Sequence, residues 1–152
     1  EDNIKYKAKA SREEVIEASK VVGSHNFIMT LPKGYDTVLE ESGANISVGQ
    51  RQLLSFARAL LLDSKIFILD EATSYIDSYT ERQIQNALDK VLENRTGIII
   101  AHRLSTIKNA DKIIVLNKGE IIEIGNHEDL LANKNLYWKL WSNNESSFDD
   151  IN

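Results

Sequence analysis

The sequence predicts an α/β fold, and three observations carry that expectation. Residues 66–69 and 97–101 are short apolar runs rich in β-branched types, which read as buried strands. A segment of helical periodicity joins them, so the two strands are expected to be parallel with a crossover helix between them. Two later apolar runs flank Lys118-Gly119 and read as a hairpin. The expected architecture is a helical subdomain followed by a parallel sheet with a C-terminal antiparallel hairpin.

Composition fits a globular domain: 152 residues, 42% hydrophobic and 27% charged. A net charge of −5 with no concentrated Lys/Arg patch argues against nucleic acid as a partner. The absence of cysteine excludes a disulfide scaffold or a thiolate metal site. No apolar run reaches the roughly 18 residues of a membrane span, and no signal-peptide pattern follows Glu1. The chain as given is therefore expected neither to cross a membrane nor to be secreted. The N-x-S/T triplets at Asn45, Asn94 and Asn144 read as chance matches. Glu1 is not a start methionine, so a piece of a longer protein is expected.

In chain order, Ser11 and Glu14 form a capping box for a helix whose apolar face is Val15, Ile16, Ala18, Val21 and Val22, ending at Gly23. A short helix from Ser24 to Thr30 precedes the single proline, Pro32. The stretch from Lys33 to Asn45 is turn-rich and reads as a loop. A helix from about Ser47 to Leu62 follows, burying Leu53, Leu54, Ala57, Leu60 and Leu61 and carrying Arg51, Ser55 and Arg58 on a polar stripe. Ser47 and Gln50 fit a second capping box, and Gly49 lets a backbone or an anion approach the first-turn amides. The same residues equally make a plain helix start.

Ile66 to Leu69 is expected to be buried on both faces, and it delivers Asp70 and Glu71 at its carboxyl end, where ligands bind in open α/β sheets. Adjacent strand residues point to opposite sides. Asp70 can then hold Mg²⁺ while Glu71 orients and deprotonates a water, although four hydrophobes before two acids also arise by chance. Asp77 or Ser78 caps a helix to about Glu93, with Ile84, Ala87, Leu88, Val91 and Leu92 inward. Gly97 to Ala101 ends in His102, which can donate to a phosphate oxygen or serve as a simple cap. The hairpin of Asp111–Asn117 and Glu120–Gly125 is expected to extend the sheet margin. Asn126 caps a short helix, and a last amphipathic helix carries Leu136, Tyr137, Leu140 and Trp141. The expected divisions are 1–62 as helical subdomain, 63–142 as the second half of a core, and 143–152 as a disordered tail.

Four stretches, ISVGQRQLLSFARALL, KIFILDEATSYID, IIIAHRLSTI and DKIIVLNKGEIIEIGNHEDLL, resemble in this order the nucleotide-binding domain of ABC transporters. The likeness covers nearly the whole chain, and AHRLSTI with TVLEESG is most similar to the exporter branch. The resemblance implies a partial P-loop NTPase-like ABC ATPase fold using ATP and Mg²⁺. It makes Asp70 the Walker B aspartate for Mg²⁺, Glu71 the catalytic base and His102 the switch contact to the γ-phosphate. Ser74 through Asp77 become the D-loop at a dimer interface. Ser47, Gly49 and Gln50 become the signature that clamps ATP held by an opposing domain, and Glu41 belongs to the loop that couples to membrane helices.

The resemblance further implies a head-to-tail partner domain, transmembrane domains in the same transporter, and a place at the cytoplasmic face of the cell membrane. The chain lacks G-x-x-x-x-G-K-S/T, and the family's Q-loop glutamine would lie before Glu1, so the isolated piece is expected to be inactive. Val48 stands where the signature usually has glycine, Ile46 where it has leucine, and Tyr75-Ile76 where the D-loop has Ala-Leu. The other readings are a soluble ABC-type ATPase of DNA repair or the ribosome, expected to carry coiled-coil insertions or basic patches, and a non-catalytic interaction fragment.

Overall fold

The computed structural model describes residues 1–70, 76–101 and 104–149. Glu71, Ser74, Tyr75 and His102 lie outside the described residues. The elements run α1 (Asp2–Lys5), α2 (Arg12–Val21), α3 (His25–Thr30), α4 (Val48–Leu61), β1 (Ile66–Asp70), α5 (Ser78–Leu92), β2 (Thr96–Ile100), α6 (Leu104–Ile107), β3 (Ile113–Asn117), β4 (Glu120–Gly125), α7 (His127–Ala132) and α8 (Leu136–Asp149). Single 3₁₀ turns at Gly34–Asp36 and Glu41–Gly43 punctuate the loop between α3 and α4.

The predicted helix starts are where sequence places them. Ser11 and Glu14 close both bonds of a capping box on α2, as do Ser47 and Gln50 on α4. Asp77 caps α5 and Asn126 caps α7. α4 is the hub, because α1, α2 and α5 all pack on it. Its buried residues are Leu53, Leu54, Phe56 and Ala57; they share the core with Val15, Ala18 and Val22 from the α2 region and with Ile84, Ala87, Leu88 and Val91 of α5. Val21, expected on the apolar face of α2, is exposed, and Leu60 and Leu61 are only half-buried. The short α1 has no sequence signal; Ile4 buries itself and Arg58 donates two bonds to the Asn3 carbonyl, at 2.9 and 2.6 Å.

The chain divides into two compact units, Glu1–Ile98 and Ile99–Asn152. In the first unit α5 packs on α4 through Ile84, Ala87, Leu88 and Val91. β1 and β2 form a two-stranded parallel sheet. β1 alternates rather than being buried on both sides: Phe67 and Leu69 are half-buried, whereas Ile66 and Ile68 are 60% and 66% exposed. Phe67 meets Phe56 of α4 edge-on, with centroids 6.0 Å apart. One face is thus covered by helix and the other is open.

In the second unit β3 and β4 pair antiparallel from Ile113↔Gly125 to Asn117↔Glu120, with an irregularity at Val115/Leu116. Lys118 and Gly119 both take positive φ, 49° and 85°, the two-residue turn whose twist suits a hairpin. Among the described residues the hairpin strands bond only to each other. Ile113, Val115, Leu130 and Tyr137 make its core, with Trp141 packed against them, while Leu140 is exposed. α8 continues to Asp149. No Gly or Pro interrupts residues 143–149, and an established helix gains one bond per added residue.

Candidate functional site

Two helix starts lie side by side in the first unit, and each carries residues that the sequence singles out. At α4 the Ser47 hydroxyl accepts from the Gln50 amide at 3.1 Å, and the Gln50 side-chain oxygen accepts from the Ser47 amide at 3.0 Å. The box uses the acceptor half of each side chain. The Ser47 hydroxyl proton and the Gln50 side-chain NH₂ remain as donors for a ligand in front of the helix. Val48 occupies the first turn with 44% of its surface exposed.

Gly49 has a tertiary reason for being glycine. It is buried, and a Cβ there would stand 2.3 Å from the Thr80 methyl carbon, closer than real Cβ atoms come. Its backbone φ is ordinary for a helix, so conformational freedom is not what position 49 requires. A contact with α5 is thus one reason for glycine at this position.

At α5, Asp77 accepts from the amides of Tyr79 at 3.1 Å and Thr80 at 3.0 Å. These bonds, together with one from the Thr80 hydroxyl, hold the Asp77 carboxyl below its ordinary range, the Thr80 amide contributing most. Asp77 is exposed, and its carboxylate is engaged by its own helix. Thr80 thus touches both starts. Its only sequence trace is its place three residues after the cap.

Asp70 ends β1 and is exposed. It lies at the rim of an open cleft of about 380 Å³ between α4 and β1, whose lining includes Val48, Arg51, Gln52, Ser55 and Phe67. Among the described residues, Asp70 is the one carboxylate in that lining, and the buried side-chain oxygen of Gln52 has no hydrogen-bond partner. Arg51 and Arg58, which sequence places on a polar stripe, act structurally. Arg51 donates to the carbonyls of Gly43 and Ile46 at 3.0 and 2.9 Å, fixing the loop that contains Glu41 against α4. Arg58 pins α1 and lies over the Tyr6 ring, 5.0 Å from its centroid. Neither guanidinium role was legible, since both partners are backbone carbonyls distant in sequence.

Ser47, Gly49, Gln50 and Asp77 are therefore brought together through the α4–α5 contact. Asp70 lies along the cleft from the first turn of α4. Glu71 and His102 are outside the described residues.

The ABC transporter family model matches residues 2–74. The chain is 52% identical to the ATP-dependent lipid A-core flippase of Syntrophus aciditrophicus (strain SB), across 91% of this chain and 23% of the flippase. It is also 52% identical to the uncharacterized ABC transporter ATP-binding protein YfiC of Bacillus subtilis (strain 168), across 97% of this chain and 24% of that protein. A bacterial Atm1-family ABC exporter solved with ATP bound superposes with a TM-score of 0.83 at 42% identity, covering 94% of this chain and 25% of the exporter. The chain spans about a quarter of the length of the relatives it matches. The helical first unit, the parallel strand pair ending in Asp70 and the hairpin are one part of a larger ATPase fold, and the chain belongs to the ABC transporter family as a segment of an exporter-type ATP-binding domain.

Proposed function

We propose that the full-length protein is an ATP-hydrolysing exporter, and that this chain is the C-terminal part of its motor domain, at the cytoplasmic face of the cell membrane. The observation that carries the proposal is the start of α4, where the capping box leaves the Ser47 hydroxyl proton and the Gln50 NH₂ as donors beside the first-turn amides. An anion is the ligand that suits such a surface, and the resemblance supplies the γ-phosphate of ATP held by a second, opposing domain.

Asp70 has the chemistry to hold Mg²⁺ in one way only. A single carboxylate makes no cage, but Mg²⁺ is ordinarily held by one or two carboxylates with substrate phosphates and waters. Mg²⁺ held by Asp70 would supply charge neutralisation to the transferring phosphates. Glu71 orients the attacking water and takes its proton, and His102 donates to a γ-phosphate oxygen. Asp77 closes the D-loop toward the opposing domain.

The test is Glu71→Gln in the full-length protein, which should lower turnover by about 10²-fold while ATP binding persists. Hydrolysis at near the original rate would remove Glu71 as the base. The isolated chain carries no phosphate cradle and should bind Mg-ATP with a Kd weaker than about 1 mM, and calorimetry showing micromolar binding would contradict this.

A further inference from the structure

We propose that Arg51 is the positioning residue for Ser47 and Gln50, holding the peptide between Ile46 and Ser47 in the orientation that presents their donors to a ligand. That peptide is gripped at both ends by neighbouring side chains of α4. Its carbonyl, on Ile46, accepts from Arg51 Nη1 at 2.9 Å, and its amide, on Ser47, donates to the Gln50 side-chain oxygen at 3.0 Å. Arg51 Nη1 also donates to the Gly43 carbonyl at 3.0 Å, so one guanidinium nitrogen ties the approach to α4 at two points. Helical side chains lean toward the N-terminus, which puts that of Arg51 over the turn before it.

The segment needs that tie. Ser42 and Gly43 take successive positive φ values, 56° and 69°, and a non-glycine residue in that region persists only where its surroundings hold it. A Cβ on residue 43 would stand 3.0 Å from Arg51 Cδ and 3.3 Å from Cγ, so the glycine lets the arginine stem lie against the turn. Without the guanidinium, the Ile46–Ser47 peptide can rock about the Ser47 N–Cα bond and draw the Ser47 amide off the Gln50 oxygen. The Gln50 NH₂ then loses the bond that aims it. Both donors of the proposed anion site therefore depend on a side chain that need not touch the ligand. The inference deepens the proposed function, on which it rests for the meaning of Ser47 and Gln50.

The experiment uses Arg51→Met in the full-length protein, which keeps an unbranched stem and removes every donor, with Arg58→Met as its control. Arg58 lies further along the same helix, but its bonds go to the Asn3 carbonyl. Hydrogen exchange read on fragments spanning residues 43–50 should quicken by at least about 10-fold in Arg51→Met and stay unchanged in Arg58→Met. In Arg51→Met kcat for ATP should fall by at least about 5-fold while KM and nucleotide affinity stay within about 2-fold, since the proposed site acts on ATP that the opposing domain already holds. Exchange as slow as in the parent protein overturns the clamp. Faster exchange with an unaltered kcat overturns the positioning role, and so does a loss that falls on KM instead. An equal loss of kcat in Arg58→Met would mark general loosening of the helix and overturn it too. Exchange does not depend on ATP chemistry, so it still reads the Arg51 clamp if the protein proves not to hydrolyse ATP.

Discussion

His127 Nδ1 lies 2.8 Å from the Tyr137 hydroxyl, and Trp141 closes over the imidazole with ring centroids 4.4 Å apart. Tyr137 is fully buried, and its own amide donates to the Glu123 carboxylate at 3.0 Å, so the first turn of α8 is tied to both β4 and α7. Burial raises the Tyr137 hydroxyl above the ordinary tyrosine value of 10.0. The folded state then holds this proton more tightly than the unfolded state. Stability from this site is intact below pH 10.0 and declines as pH rises through the unfolded value toward the higher folded one. Tyr137→Phe should cost about 1 kcal/mol at neutral pH and should flatten the alkaline decline. Melting curves between neutral and strongly alkaline pH check both parts, and an unchanged alkaline slope would contradict the assignment.

Asp77 has the opposite sign. Its carboxyl is held below its ordinary value by α5 amides and the Thr80 hydroxyl, so the cap is fully effective above pH 3.8 and is lost as pH falls through the depressed folded value. Asp77→Asn keeps an acceptor for the first-turn amides and should retain most of the helix stability, whereas Asp77→Ala should not. In the full-length protein the two variants separate capping from the proposed D-loop role. If Asp77→Asn melts normally yet turns over slowly, the carboxylate does more than cap.

The open face of β1 is a liability in the isolated chain. Ile66 and Ile68 expose apolar surface on a two-stranded sheet, with unpaired strand edges at hand. Replacing both by threonine keeps β propensity and should reduce binding of a hydrophobic dye by at least about 2-fold. Dye binding that is unaffected would mean that this face is covered in solution.

Val48 allows the partner to be tested without disturbing the fold. It is half-exposed at the first turn of α4, so Val48→Gly should cost at most about 1 kcal/mol of helix propensity. On the proposal that the full-length protein pairs with a partner whose signature is regular and whose Walker B glutamate is replaced, Val48 would lie in a signature facing only the partner's site. Full-length Val48→Gly should then change turnover by less than about 2-fold, because the altered signature faces only the non-hydrolytic site. A large change in rate, or full activity from this chain purified alone, would rule the heterodimer out.

The sequence by itself determined what is local. Ser11/Glu14 and Ser47/Gln50 close their boxes within one helical turn, and Asp77 and Asn126 cap with atoms two or three residues away. Lys118-Gly119 turns the hairpin from its own backbone preferences. Such bonds span so few residues that residue type and spacing suffice to predict them. The motif order likewise carried the family. Only tertiary structure decided what depends on residues far apart in the chain. A four-residue apolar run does not say how many neighbours its sheet has, so the exposure of Ile66 and Ile68 was hidden. Arg51 and Arg58 bond to carbonyls, which every residue carries, and no sequence pattern marks them. Gly49 reads as room for a close approach, but that a Cβ there would meet the Thr80 methyl, thirty-one positions along the chain, shows only once α5 is laid against α4.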